Sequence, residues 1–237
     1  MASTPTSLDC FAHELREPLR RLIAHLQRLA AGRSIGFTVF GPCDLKPPAR
    51  MTSVLTVETV DLNWLRRFAV EGSEAHRAHL APPLVMTPAA IRGSRDSFPL
   101  ELLEIQQQHV TLLGDDLFAA LEFQPRDVRL QCERELRTMA LAMRQALLAS
   151  GGDERALDDL QQHAGQGLVR VLRGLLWLRG QKSLVPPSEV AGAVEAAVGH
   201  SLPGVRAAID HKDHRGWQQF ERLYADLEAL GNATDGW

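Results

Sequence analysis

The residues of this chain best suited to chemistry are few and scattered. Glu101 and Glu104, three apart in LELLEI, are carboxylates of the kind that hold hard cations or move protons. Arg206 and His211, in RAAIDH, combine a cation able to stabilise phosphate charge with an imidazole that titrates near neutral pH. The same spacing recurs at Arg20 and His25, so the pair arises cheaply. His211, Asp213 and His214 in HKDHRGW, and His76 with His79, are metal-binding side-chain types. Neither set has a distant ligand to complete a zinc site, and no HExxH frame surrounds the second, so both read as solvated connections and no metal is predicted. The minimal patterns of a P-loop and a dinucleotide fold (the Walker loop, GxGxxG) do not occur.

These residues need elements to position them. Leu8, Phe11, Leu15, Leu19, Leu22, Leu26 and Leu29 recur at steps of three and four and predict an amphipathic helix, started or kinked at Pro18 and closed by Gly32. IGFTVF (35–40) and TSVLTVET (52–59) are rich in β-branched residues and predict two strands around a turn at Gly41-Pro42. Asp61 is placed to cap a helix carrying Leu62, Leu65 and Phe68. PLVMT (83–87) predicts a third strand and Thr87-Pro88 the start of a short helix. LELLEI (100–105) and HVTLLG (109–114) are expected as a strand and an edge strand, with Leu and Glu leaving the first open to a helix as well, and Asp115-Asp116 as the opening of a helical turn through Phe118 and Leu121. On a strand the three-residue spacing sends Glu101 and Glu104 to opposite faces, so at most one reaches a given cleft and the economical reading is solvent or arginine pairing.

From Pro125 onward the pattern is helical. Cys132, Leu136, Met139, Met143 and Leu147 form one stripe, and Leu157, Leu160, Ala164, Leu168, Val171, Leu175 and Leu178 another, with a break at Ser150-Gly151-Gly152 that predicts antiparallel neighbours. Gly165, Gly167 and Gly174 are expected to permit close helix contact. Pro186-Pro187-Ser188 starts a third helix, and Trp217, Phe220, Tyr224 and Leu227 mark a last one whose aromatic residues are read as core. The expected fold class is therefore α+β: a small mixed sheet with helices over residues 1–124, then an all-α helical bundle over 125–237.

Composition narrows the function classes. The 237 residues are 45% hydrophobic and 23% charged, with a formal charge of −3 that leaves no global footprint for polyanion binding. No run approaches the length of a membrane span and the N-terminus carries no secretory pattern, so no membrane partner is expected. Cys10, Cys43 and Cys132 are odd in number and far apart, which points to a reducing, cytoplasmic setting.

The stretch DSFPLELLEIQQQHVTLLGDDLF, followed by RLQCERELRTMALAMRQALL, resembles the DNA polymerase beta-like nucleotidyltransferase superfamily, in particular bacterial nucleotidyltransferase-like proteins with a helical domain of the HEPN or kanamycin nucleotidyltransferase C-terminal type. The resemblance covers about residues 95–180. It implies a Gly-Ser turn after the first strand for nucleotide phosphates, and an Asp-x-Asp pair with a third carboxylate for two magnesium ions. Here Gly41 stands at the glycine of that turn and is the one cofactor-binding candidate, but Pro42 follows it and removes a hydroxyl and an N–H. Met51 and Ser53 occupy the places of the paired acids. Asp44 is the nearest acid, ahead of Pro47-Pro48, and Glu101 or Glu104 corresponds to the third carboxylate.

The resemblance thus implies a degenerate site and a protein acting by binding a nucleotide, an RNA or a protein partner, without a cofactor. The alternative is an active transferase that moves a nucleoside monophosphate from a nucleoside triphosphate to an acceptor, using Mg2+ and Asp44, Glu101 or Glu104. A second alternative, a HEPN-like ribonuclease, uses Arg206 and His211. A homodimer or partner complex would form through the helical domain.

Overall fold

A computed structural model of the chain describes residues 8–30, 32–42, 50–71, 78–210, 216–234 and 236. Among them are four strands, β1 (Ile35–Phe40), β2 (Thr52–Val57), β3 (Leu84–Met86) and β4 (His109–Leu113). Nine α-helices accompany them: α1 (His13–Ala30), α2 (Leu62–Glu71), α3 (Pro88–Gly93), α4 (Pro99–Gln107), α5 (Pro125–Ser150), α6 (Glu154–Leu178), α7 (Pro187–Val198), α8 (Pro203–Asp210) and α9 (Trp217–Thr234). No helix among the described residues is long and apolar enough to cross a membrane. Residue contacts divide the chain into two compact units, one of residues 1–95 and 104–122, the other of residues 96–103 and 123–237.

In the first unit the sheet runs in the order β3-β2-β1-β4, with β1 antiparallel to both neighbours and β2 parallel to β3, so it is mixed as the patterning predicts. One face packs on the helices. Leu15, Leu19, Leu22 and Leu26 of α1 share a core with Phe37 and Val39 of β1, Met51, Leu55 and Val57 on or beside β2, and Trp64 of α2. Odd-numbered residues of β1 and β2 point this way because side chains alternate along a strand. The other face carries Thr38, Val54 and Thr56, all buried, and Thr38 Oγ1 lies 3.0 Å from Thr111 Oγ1 of β4.

Pro18 does not start α1, which begins five residues before it and continues to Ala30. Leucines on the buried face hold that helix to the sheet, and its first turn is tied down where Arg16 donates to the carbonyls of Phe11 and Asp9. The caps fall where expected: Asp61 Oδ1 accepts from the amides of Asn63 and Trp64, and Thr87 Oγ1 accepts from Ala90.

LELLEI is not a strand. It lies in α4, where Pro99 occupies the first turn and the side-chain oxygen of Gln131 accepts from the Leu100 amide at 2.9 Å. Leucine and glutamate are strong helix formers, and Leu100, Leu102, Leu103 and Ile105 are all buried, a distribution that strand alternation cannot supply.

The second unit is helical apart from its connections. Antiparallel α5 and α6 meet where Cys132 approaches the Val171 carbonyl and Met139 approaches Gly167. Burial pushes the Cys132 thiol up to about 12, so this cysteine is a packing residue and not a nucleophile. The three α6 glycines sit at close contacts as expected: a Cβ at Gly165 would overlap the Ala208 carbonyl, one at Gly167 would press on Met139, and one at Gly174 would meet Leu100 and Cys132. In α9 Phe220, Leu223 and Leu227 are core, but Trp217 is not; it is 43% exposed and stacks on Phe220.

Candidate functional site at the end of the first strand

β1 ends at Phe40, and Gly41 turns the chain with φ of +84°, a conformation that disfavours any side chain. Its amide donates to the Gln108 carbonyl at 2.9 Å, which extends the β1–β4 ladder by one bond. Pro42 has no N–H. The backbone of this turn therefore offers no donor to a phosphate at either residue.

Opposite Phe40 stands His109, at the start of β4. Its Nε2 is 3.0 and 3.1 Å from the two oxygens of Asp116, and its Nδ1 is 3.3 Å from the Gln106 carbonyl. Asp116 also accepts from the amides of Phe118 and Ala119, while Gln106 Nε2 donates to the carbonyls of Phe118 and Leu121. Burial works against the Asp116 charge, but the Phe118 amide, His109 and the Ala119 amide outweigh it and hold the carboxyl below the ordinary aspartate range. The histidine side chain is only 10% exposed and both ring nitrogens face acceptors, so no lone pair is directed at a substrate; the aspartate is 42% exposed. The pair fastens the turn after β4 to the strand.

Because the Asp116 value is lowered on folding, its contribution to stability is present above the unfolded aspartate range and is lost as pH falls through the folded value. Asp116→Ala is expected to cost about 1 kcal/mol at neutral pH, the scale of a lost side-chain cap. Urea unfolding at pH 7 and at pH 3 checks this, with the difference between variant and parent shrinking at the lower pH.

Where the resemblance would place metal-binding acids, β2 has none. Met51 and Ser53 are both buried and lie on the side of β2 that packs against α1, and Ser53 Oγ has no hydrogen-bond partner among the described residues. The opposite side of the strand offers Thr52, Val54 and Thr56. Asp44 lies outside the described residues. Glu101 is engaged within the second unit: Oε2 accepts from Gln131 Nε2 at 2.8 Å, and Oε1 is 3.5 Å from Arg170. On a helix its three-residue offset from Glu104 puts the two acids on one side, where a strand would have separated them. Glu104 itself belongs with the first unit.

Arg206 forms an ion pair with Glu195, which also accepts from the Leu202 amide, so the arginine joins α8 to α7. His211, Asp213, His214 and His76 lie outside the described residues. The half-buried His79 lends its carbonyl to the Met51 amide. Among the described residues no group of three or more His, Cys, Asp or Glu side chains could hold a metal ion.

Sequence reasoning missed the His109–Asp116 pair. The only signal was a histidine at the head of an edge strand and an acidic pair after it. What joins them is the turn at Gly114, with φ of +77° and room for no Cβ, since one would stand 2.9 Å from the Ile35 carbonyl oxygen. Comparison of the chain with protein-family models, with curated proteins and with solved structures returned no match to any of them.

Proposed function

We propose that this chain is a nucleotidyltransferase-like protein whose transfer site is degenerate, and that it acts by binding a nucleotide, an RNA or a protein partner. The observation that carries the reading is the state of β2: the places of the two metal-binding acids are taken by Met51, which packs in the apolar core, and by Ser53, which is buried beside it. Two divalent ions in one site need several closely spaced carboxylates, and phosphoryl transfer draws its charge stabilisation from them. The commitment of the Gly41 amide to Gln108 supports the same reading, because it removes a donor from the phosphate side of the turn.

Isothermal titration with each nucleoside triphosphate, with and without magnesium, tests it. The expected result is no magnesium-dependent binding at micromolar concentration. Magnesium-dependent micromolar binding would overturn the degenerate reading in favour of an active transferase using Asp44, Glu101 or Glu104, and loss of that binding in Glu101→Ala would place the metal. Nucleotide binding that ignores magnesium fits a site that holds its ligand without turning it over.

A further inference from the structure

Residues 115–122 are the last segment of the first unit. Among the described residues they are held to β4 and the end of α4 in three ways. The Phe118 ring is buried and lies edge-on to the His109 ring, with centroids 5.8 Å apart. The Gln106 carboxamide donates to the carbonyls of Phe118, Ala119 and Leu121, the last at 2.7 Å. The third tie is the His109–Asp116 pair, and of the three it alone depends on charge.

The His109 ring stands between two groups that can only accept. Nδ1 is 3.3 Å from the Gln106 carbonyl oxygen, and Nε2 is 3.0 and 3.1 Å from the Asp116 oxygens. A neutral imidazole has one N–H and one lone pair. With its proton on Nε2, the Nδ1 lone pair opposes a carbonyl; with its proton on Nδ1, the Nε2 lone pair opposes a carboxylate. The imidazolium, with a donor on each nitrogen, is the one form that satisfies both contacts. With 10% of the side chain exposed, the ring has little room to turn either nitrogen to water. The residue facing His109 from β1 is Phe40, from α4 it is Gln106, and from the following turn they are Asp116 and Phe118. Asp116 is the titratable group in that set, and the neighbouring Asp115 is exposed.

We propose that His109 and Asp116 form a proton-operated latch on residues 115–122, closed while the ring holds two protons and loosened when it gives one up. Contacts that need the second proton stabilise the closed turn below the imidazole range and are lost as pH rises through it. At the acid end the latch fails when Asp116 is protonated, so the turn is tightest between the carboxylate and imidazole ranges. The latch involves no ligand and stands whether or not the first unit holds a nucleotide.

Hydrogen exchange of the full chain from about pH 5.5 to about pH 8.5, a span that brackets imidazole titration, tests the latch. The readout is protection of the Phe118 and Ala119 amides, which Asp116 Oδ1 holds, corrected for the intrinsic base dependence of exchange. Protection in the parent is expected to fall about tenfold across that span, the scale of one hydrogen bond to a charged group. Nitrogen NMR should show both His109 ring nitrogens protonated at the low-pH end. Gln106→Ala should lower protection at every pH and keep the fall. Asp116→Asn should abolish the fall, because its oxygen still accepts from the two amides while its Nδ2 can donate to the Nε2 of a neutral ring. His109→Gln should abolish it as well, and Asp116→Asn decides alone if circular dichroism shows that the glutamine variant has lost structure.

Protection that is independent of pH in the parent would overturn the proposal. So would an equal fall in Asp116→Asn, or a His109 ring with a single proton at the low-pH end while the amides stay protected.

Discussion

Alanine at position 204 is expected to lower the stability of the helical unit by about 3 kcal/mol, the upper end for an overpacked contact. Gly204 is in the first turn of α8 and rests directly on α9. A Cβ there would overlap the Leu223 amide nitrogen and the Arg222 carbonyl carbon. Both are backbone atoms within a helix, so neither can rotate away as a side chain would. Relief requires α8 to shift, which would strain the bonds from Val205 to Asp226 and from Gln219 to the Gly204 carbonyl. For a chain of this size the change corresponds to a melting temperature about 6–12 °C lower. Gly231→Ala is the matched control. A Cβ at that α9 position meets nothing within 4 Å, and the gain in helix propensity should stabilise by about 0.5–1 kcal/mol. Equal melting of the two variants would refute the argument.

Asp226 is expected to separate two substitutions that look alike. Its carboxylate is buried in the bundle and accepts from the Val205 amide at 3.0 Å, capping α8 from a neighbouring helix. Burial raises its pKa above the ordinary 3.8, against the lowering by the amides of Val205 and Gly204 and by His200. A raised value means that its contribution is full below the unfolded value and is lost as pH climbs through the folded one. Asn at 226 keeps an acceptor for the amides and carries no charge. Asp226→Asn should therefore equal or exceed the parent at pH 7 and lack that decline. Asp226→Ala should cost about 1–3 kcal/mol, the cost of leaving buried donors unpaired. Glu195 works in the opposite sense, because its pKa is lowered despite burial by the Leu202 amide and Arg206. The parent-minus-Asn difference between pH 4 and 7 isolates Asp226, and identical unfolding curves for Asn and Ala would sink the assignment.

Much of the fold was legible because local chemistry and tertiary packing agree. Ile35–Phe40 and Thr52–Val57 are rich in β-branched residues, Asp61 and Thr87 cap where their helices begin, and the α6 glycines lie at contacts that need them. Legibility failed where the deciding partner is far along the chain. Strand and helix both suit a short apolar run such as LELLEI, and the choice is made by Gln131, which caps it from α5. Trp217 has helical spacing with Phe220, but spacing does not say which side of a helix end meets water. At the candidate site no acid on the second strand can be read from the sequence, whereas His109 and Asp116 meet only through the Gly114 turn. Asp226 reads as an ordinary exposed acid in a helix, and nothing local marks it as the cap of another.

The division of α4 between the two units has a consequence for the order in which the protein is made. Residues 96–103 leave the ribosome before β4, yet their unit is completed by residues that come much later. Leu100 is capped through Gln131 and fills the space beside Cys132 and Gly174, so three buried leucines, at 100, 102 and 103, must wait in an unfinished chain while the first unit closes its sheet around them in sequence. Synthesis at 5–20 residues per second leaves that segment exposed for several seconds, roughly the time needed for α5 and α6 to emerge. The nascent chain thus carries three leucines that lack their final neighbours until α6 is complete, and no single cut in the polypeptide yields both units whole.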